Sequence, residues 1–457
     1  MAAGAMSPQE VIERVKESPS TKVKVAITDI DGVLRGKYIH KEKFLSAANS
    51  GFGFCNVVFG WDMADVCYDN VRYTGWHTGY PDAEARIDLA TFREVPWDNR
   101  VPFFLADFEN AEGAPLAVCP RRLLKRVVER AHKAGLRPVM SLEYEFFNFK
   151  ETSQSLADKG NVAPQPLSPG MFGYSLIRLN QSHAWVNALF DEMAAFRVPI
   201  EGLHTETGPG VFEAAILYDE PVEAADRAVL FKTGAKEIGH RFGVFPSFMA
   251  KWSAELPGCS GHIHQSLWDE GKKNNLFHDP KDPERMSPTF RNYLAGQMVC
   301  MPELLPLFAP TVNSYKRLTE GAWAPTRVNW GLDNRTTALR VIPASAKSTR
   351  LETRVSGSDA NPYLALAAAL ASGLYGIEKN LALGAAAVRG SGYADRDARA
   401  LPGNLEEATL RLESSDIARE LFGDEFVEHF VATRKWEWRQ WSRAVTNWEL
   451  GRYFEII

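Results

Sequence analysis

Residues 139–149 alternate in a way that fixes both what surrounds them and what they must hold. Strand residues two apart share a face. Met140, Leu142, Tyr144 and Phe146 therefore line one side and belong against a core, while Glu143 and Glu145 project together from the other. Neighbouring like charges raise a carboxyl pKa or cost stability unless a cation sits between them. The pair points to a divalent metal, and the solvated polar face of an amphipathic strand is the plain alternative.

The chain is long enough to bury such a strand. With 457 residues, 45% hydrophobic and 24% charged, it can form a full interior in roughly two or three domains, which excludes intrinsic disorder. Its 52 Lys and Arg against 57 Asp and Glu give a formal charge of -5 without charged blocks, so no nucleic-acid partner is expected. Cys55, Cys67, Cys119, Cys259 and Cys300 are odd in number and form no CxxC pair, which argues for reduced, mostly buried thiols. Residues 1–16 have neither the basic start nor the apolar stretch of a signal peptide. The most apolar run, 363–377, is Ala-rich, too short to span a bilayer and preceded by the helix-start pair Asn361-Pro362. A buried helix in a cytoplasmic protein without a membrane partner is the expectation.

Residues 21–30 set Val23, Val25 and Ile27 against Lys22, Lys24 and Thr28, then turn at Asp31-Gly32 into 33–39, which predicts a half-exposed hairpin. Apolar runs at 56–61 and 101–108 extend a small strand-rich region. At Pro120 the period changes: Leu123, Leu124, Val127, Val128 and Ala131 recur with helical spacing, with Gly135 just past the end. A boundary is expected near residue 115, followed by helices over 181–196 and 226–241 alternating with short strands. The fold class is α+β.

Three further segments carry chemistry. Glu201 and Glu206 precede a Gly-Pro-Gly turn and Glu213 follows it, so opposing strands can bring Glu206 and Glu213 together. His262, His264 and Ser266 share one face of 261–268, although a lone buried His is more often a hydrogen-bonded core residue than a ligand. Arg350, Glu352 and Arg354 share a strand face, preceded by Arg335, Arg340 and Lys347. A cationic cluster facing acids is expected where phosphate meets divalent cations, with a surface salt-bridge ladder as the alternative.

Taken in order, Glu143-Tyr-Glu145, the Glu206-to-Glu213 turn, Ser260-Gly-His262-Ile-His264, Asn313-Ser-Tyr-Lys-Arg317, Asp333-Asn-Arg335 and Arg350-Leu-Glu352-Thr-Arg354 resemble the motifs of the glutamine synthetase superfamily, along nearly the whole chain. The resemblance implies a β-grasp N-terminal domain, 18–113, and a catalytic domain, 114–457, built on a strongly curved antiparallel sheet. It also implies a homo-oligomer, a stacked-ring dodecamer, with active sites between subunits. Two or more Mg²⁺ or Mn²⁺ ions would be held, one by Glu145, Glu206 and Glu213, a second by Glu143, His262 and Glu352. Oxygen ligands with a single imidazole suit those ions better than zinc or copper. The same resemblance gives ATP to Glu201, His264, Ser266, Arg340, Lys347 and Arg350, and the glutamate α-carboxylate to Arg317, with Gly258 beside it. Arg335 and Arg354 would face the transferring phosphoryl group and the γ-carboxylate. Metals and arginines would neutralise that group on its way to an acyl phosphate, which an amine attacks.

Two positions depart from a glutamine synthetase. Trp323 stands where those enzymes carry a glutamate that binds ammonium and takes its proton. An indole offers an apolar face and one N–H donor, which suits an amine carrying carbon. The loop Trp61-Asp62-Met63-Ala64-Asp65 supplies either Asp62 or Asp65 for the family's amine-site aspartate, now beside a second Trp. The pattern resembles the γ-glutamylamide synthetase branch, and the scarcity of nearby acids favours a monoamine over a diamine. Tyr393 lies near the family's adenylylation tyrosine, but its surroundings do not match.

Other readings are a true glutamine synthetase using ammonium, and an inactive structural homologue, against which all six metal positions stand. Ile27-Thr-Asp29-Ile-Asp31-Gly32 also resembles the nucleophile motif of haloacid-dehalogenase-type phosphatases. That motif ends a strand buried on both faces, whereas this strand alternates. Trp438, Trp441, Val445 and Trp448 recur at helical spacing and read as core or subunit contact.

Overall fold

The structure is a computed structural model that describes residues 6–110 and 112–457, so residues 1–5 of the N-terminal stretch lie outside it. Six strands form the first sheet: β1 (Lys22–Thr28), β2 (Leu34–His40), β3 (Phe52–Cys55), β4 (Asp82–Ile87), β5 (Arg93–Val95) and β6 (Val101–Glu109). Their order is β2-β1-β6-β4-β3, with β5 added beside β6. The predicted hairpin pairs Lys22 with His40 through Thr28 with Leu34, and its turn places Gly32 at φ 83°, a conformation natural only to glycine.

The exposed half of the hairpin is one strand rather than one face: β2 is intermediate or exposed at every position, whereas β1 is buried from Val25 to Thr28. β1 is a central strand, antiparallel to β2 and parallel to β6. Val23, Val25 and Ile27 enter the N-terminal core with Phe44, Phe104 and Phe108, while Ala26 and Ile30 enter the large core of the rest of the chain. Alternation marked two different apolar neighbours rather than core and water. A buried ionic centre joins the layers: Arg121 donates to both carboxylate oxygens of Asp226 at 2.8 Å and to Asp88 and Asp107 at 2.9 Å.

Eight strands form the second sheet: β7 (Arg137–Phe149), β8 (Ile200–Thr205), β9 (Val211–Ile216), β10 (Phe245–Ser247), β11 (Gly261–Trp268), β12 (Trp330–Leu332), β13 (Leu339–Ile342) and β14 (Arg350–Thr353). The order is β12-β13-β14-β11-β7-β9-β8, with β10 beside β7. Every pairing is antiparallel except β12 with β13.

Helices cover one face of this sheet. Pro120–Lys133 begins on Pro120 and buries Leu123, Leu124, Val127, Val128 and Ala131. His183–Ala195 matches its expected span, and the next helix starts a turn earlier than expected, at Pro221, running to His240. Pro362–Glu378 is capped by Asn361 and buried along almost its whole length. It lies tightly against Pro288–Phe308: a Cβ at Gly296 would stand 2.2 Å from the Ser372 carbonyl, and one at Gly376 2.0 Å from that of Asn292. Among the described residues no helix is long and apolar enough to cross a membrane.

The Trp-rich tail divides differently from its spacing. Trp436 is buried and Trp438 packs against the core, but Asp424–Arg443 ends before a second short helix, Asn447–Tyr453. That break leaves Trp441, Val445 and Trp448 exposed rather than in the core.

Candidate active site

Strand register assembles the polar residues. On the core face of β11, Gln265 accepts from Tyr293 Oη at 2.6 Å and Gln297 Nε2 at 2.8 Å and donates to Thr353 Oγ1 at 2.7 Å, which locks β11 to β14 and to the helix beneath. The opposite face then carries the chemistry. Glu143 lies across from His262, Glu145 from Glu213, Glu213 from His204, and Glu352 from both His264 and Arg340. The Gly-Pro-Gly turn, with Gly208 and Gly210 at positive φ, folds Glu206 back toward Glu213.

His262 Nδ1 stands 3.1 Å from Glu143 Oε1 and 3.4 Å from Glu352 Oε1, and His264 Nε2 is 3.5 Å from Glu143 Oε2. Arg340 Nη1 donates to Glu352 Oε2 at 2.7 Å, and Arg354 donates to the other oxygen. On the β8 side His204 Nε2 meets Glu213 Oε1 at 2.9 Å, and Ser260 N–H donates to Glu145 Oε2 at 2.7 Å. Among the described residues two groups present ligand atoms within 4.8 Å of one another: Glu143, His264 and Glu352, and His204, Glu206 and Glu213.

Electrostatics separate the two ends. Burial pushes Glu145 up, and burial together with Glu143 and Glu145 does the same to Glu213. His204 is held up at about 9 against its own burial by the Glu213 hydrogen bond, so that pair retains a proton. Burial also works against ionisation of Glu143 and Glu352, but His262 and His264 hold Glu143 well below the usual range, and His262 and Arg354 bring Glu352 to about 2. His262 is pushed down by burial and by Arg354, with Glu143 and Glu352 opposing. Five carboxylates gathered on one face and presented as oxygens with imidazole nitrogens fit Mg²⁺ or Mn²⁺.

Beside them lie two buried guanidiniums, Arg317 and Arg354, each 4% exposed. Arg317 donates to the Val355 carbonyl and Arg354 to Glu352 and, at 3.4 Å, to the Trp323 carbonyl. The Nε–H of each is buried without a partner among the described residues. Unspent buried donors carry a cost of about 1–3 kcal/mol, which a carboxylate or phosphate would offset. Gly258 closes on Arg317: a Cβ there would stand 2.5 Å from Arg317 Cγ.

The remaining expected residues spread around this core. Arg350 Nε donates to His264 Nδ1 at 3.2 Å, and Ser266 Oγ accepts from Trp268 at 3.0 Å. Glu201 occupies a bulge on the edge strand β8, and Glu201, Arg335 and Lys347 are all exposed. Trp323 is 62% exposed at φ 59°, in a flap tied down by the Glu320–Arg396 ion pair at 2.9 Å. Asp62 is elsewhere in its own chain: Oδ1 accepts from Ala64 and Val66 N–H, and Oδ2 from Trp436 Nε1 at 2.9 Å. Tyr393 keeps its hydroxyl buried.

Three neighbours escaped the sequence reading. His204 is two residues before Glu206, but only pairing with β9 shows it facing Glu213. Tyr174 stacks on His204 with ring centroids 4.2 Å apart. Lys232, pushed down to about 7 by burial and Lys236, donates to the Ser358 carbonyl at 2.8 Å, while Ser358 Oγ donates to the Glu145 carbonyl at 2.6 Å.

Asp29, by contrast, is no nucleophile. Its oxygens accept from Asp31 N–H, Val33 N–H and Arg35 Nε within 3.0 Å, inside the hairpin turn. That engagement and the family match below overturn the phosphatase reading.

The family model described as "Glutamine synthetase, catalytic domain" matches residues 117–453. A Dictyostelium discoideum protein named "Type-1 glutamine synthetase 2" is 51% identical over 450 residues, covering 98% of this chain and 86% of its own. A Pseudomonas sp. protein named "Glutamate--isopropylamine ligase" is 38% identical over 438 residues, covering 95% of each. The solved structure of a GmaS/ADP complex superimposes with a TM-score of 0.84 at 28% identity, over 97% of this chain and 99% of that one. A two-sheet α+β fold, acids and histidines gathered on one sheet face, and a match along most of the chain agree: this protein belongs to the glutamine synthetase family.

Proposed function

We propose that this enzyme joins the γ-carboxylate of L-glutamate to an organic monoamine at the expense of ATP, through γ-glutamyl phosphate. The observation that carries the amine assignment is the flap: Trp323 presents an indole where an ammonium-using enzyme needs a carboxylate. The name of the Pseudomonas relative points the same way.

In this reading Glu145, Glu206 and Glu213 hold one Mg²⁺ or Mn²⁺, with His204 adjoining, and Glu143, His262 and Glu352 hold another, with His264 adjoining. The bound ions supply charge neutralisation for the phosphate oxygens. ATP is taken by Glu201, His264, Ser266, Arg340, Lys347 and Arg350. Arg317 receives the α-carboxylate of glutamate, and its buried, unspent Nε–H supports that role. Arg354 and Arg335 face the γ-carboxylate and phosphoryl group. A γ-carboxylate oxygen attacks the terminal phosphorus and ADP leaves; the amine nitrogen then attacks the acyl carbon, phosphate leaves, and the amine proton passes to a carboxylate of the 61–65 loop. Preorganised guanidiniums supply the electrostatic stabilisation of both steps.

The acids of the flap and loop are already engaged, Glu320 with Arg396 and Asp65 with Arg35, which favours a monoamine over a diamine. Asp62 and Asp65 meet residues of their own N-terminal sheet and C-terminal helix, and among the described residues neither bonds to the flap. That placement supports a site shared between subunits, in which residues 18–113 of one complete the site on residues 114–457 of the next; the assembly we propose is a cytoplasmic stacked-ring dodecamer.

A second reading, glutamine synthesis from ammonium, is favoured by the name of the Dictyostelium relative at 51% identity. Phosphate release from ATP with glutamate and Mg²⁺, across ammonium, alkylamines, hydroxyalkylamines, aromatic amines and polyamines, separates the two. Turnover with an alkyl or hydroxyalkyl monoamine well above that with ammonium is expected. Efficient ammonium turnover overturns the amine assignment, and none with any amine returns the structural-homologue reading.

A further inference from the structure

Arg35, on β2, reaches several features of the loop that carries Asp62. Its Nε donates to Asp29 at 2.8 Å, its Nη1 to Asp65 at 2.6 Å and its Nη2 to the Asp62 carbonyl at 3.5 Å. Its guanidinium lies over the Trp61 ring, 5.1 Å from the centroid. Asp29, which anchors this fork, is buried and fixed by the hairpin turn. One side chain thus fixes a backbone carbonyl, a carboxylate and an aromatic face within five consecutive residues.

The loop needs such an anchor. It forms no regular ladder beyond an isolated Trp61–Cys67 bridge. Asp65 sits at φ 62°, a conformation that costs an ordinary residue about 1 kcal/mol or more. The Asp62 carboxylate is aimed by three donors, Ala64 N–H, Val66 N–H and Trp436 Nε1. The first two hold only while the turn is closed; backbone bonds close it, Asp62 N–H to the Val66 carbonyl at 3.0 Å and Asp65 N–H to the Asp62 carbonyl at 3.1 Å, and Arg35 braces it from outside by bridging Asp62 and Asp65. A guanidinium suits this task because its planar fork reaches several acceptors at once and stacks on an indole, which an ammonium cannot do.

We propose that Arg35 is a positioning residue for amine capture: it holds Trp61 and Asp62 in the geometry that the amine-binding end of the site requires, without touching substrate itself. The proposal rests on the reading that this loop supplies the amine end. A shift of an ångström at a reacting group lowers rate by up to about a hundredfold, so loosening the loop weakens amine use alone. The sheet residues that serve ATP and glutamate take no support from Arg35.

Arg35→Lys tests this, because it keeps a positive charge beside buried Asp29 while removing the fork and the stack. The expected result is a KM for the amine raised about tenfold or more, whichever amine or ammonium the wild type uses, with KM for ATP and glutamate within about twofold. Hydrogen exchange, which needs no activity, should show the Ala64 and Val66 amides exchanging about tenfold faster, with the β1 amides unchanged. Equal protection in both proteins, or a KM for amine that does not move, overturns the proposal. A wild type that prefers ammonium while Arg35→Lys still raises its KM refutes the organic-amine reading and leaves Arg35 in its role. Asp65→Asn provides the second variant: Asn accepts the positive φ, reduces one arm of the fork from an ion pair to a bond with a neutral acceptor, leaves Asp29 paired, and should raise KM for the amine by a smaller factor. A global loss of protection in Arg35→Lys, with Asp65→Asn indistinguishable from wild type in KM and exchange, also overturns it and leaves Arg35 a structural residue only.

Discussion

Gly258→Ala is a one-carbon change whose consequence can be worked out from the structure. The new methyl would stand 2.5 Å from the Ala250 carbonyl oxygen, 2.5 Å from Arg317 Cγ and 3.1 Å from Arg317 Cβ. The Ala250 carbonyl accepts from Cys259 N–H at 2.8 Å and cannot recede without losing that bond. The backbone around residue 258 has to shift away from that oxygen and Arg317 has to give as well, although it is buried and tied to the Val355 carbonyl. Overpacking of this kind costs about 1–3 kcal/mol. If Arg317 receives the glutamate carboxylate, the same energy is withdrawn from substrate binding, about a 5- to 150-fold fall in kcat/KM for glutamate. Initial rates of ADP release against glutamate at saturating ATP measure it, with KM for ATP expected within about twofold. Unchanged glutamate kinetics in a folded Gly258→Ala protein would refute the assignment of Arg317.

Two stability predictions follow from buried charges far from the flap. Arg121→Leu leaves Asp226 buried without its counter-ion, while Asp107 keeps Lys125 at 2.6 Å, and urea unfolding should show a loss of about 3–5 kcal/mol; a loss below about 1 kcal/mol contradicts the joint between the layers described above. His429 is buried with neither ring nitrogen hydrogen-bonded, and burial together with Arg434 lowers it from 6.5 to about 4. As pH falls from 6.5 to 4 the unfolded chain takes a proton that the folded chain refuses. Folding stability should therefore drop by about 3 kcal/mol over that window from this group, and His429→Phe should flatten the slope of urea midpoint against pH by that amount. An identical slope in both proteins counts against it.

Local signals carried much of the fold. Pro120, Gly135 and the apolar stripe between them fixed one helix, Asn361-Pro362 began the buried one, and the alternation of residues 139–149 placed Glu143 and Glu145 on one face as observed. What failed depends on partners distant in sequence. β1 alternates, yet both faces are covered because a parallel β6 makes it central and two cores flank it. His204 faces Glu213 only through the β8–β9 register. The spacing of Trp441, Val445 and Trp448 ignores the break after Arg443. The hold of Arg35 on the 61–65 loop joins residues up to thirty positions apart, and no periodicity announces it.

The central claim is that this sheet activates the γ-carboxylate of glutamate for an organic amine. It is tested most directly by mass spectrometry of one reaction containing γ-carboxyl-¹⁸O-labelled glutamate, ATP, Mg²⁺, ammonium and an equal concentration of each monoamine. The account predicts one ¹⁸O in the released phosphate, the other in the amide, and an organic γ-glutamylamide as the main product. Unlabelled phosphate would contradict the acyl phosphate, and glutamine as the main product would contradict the amine.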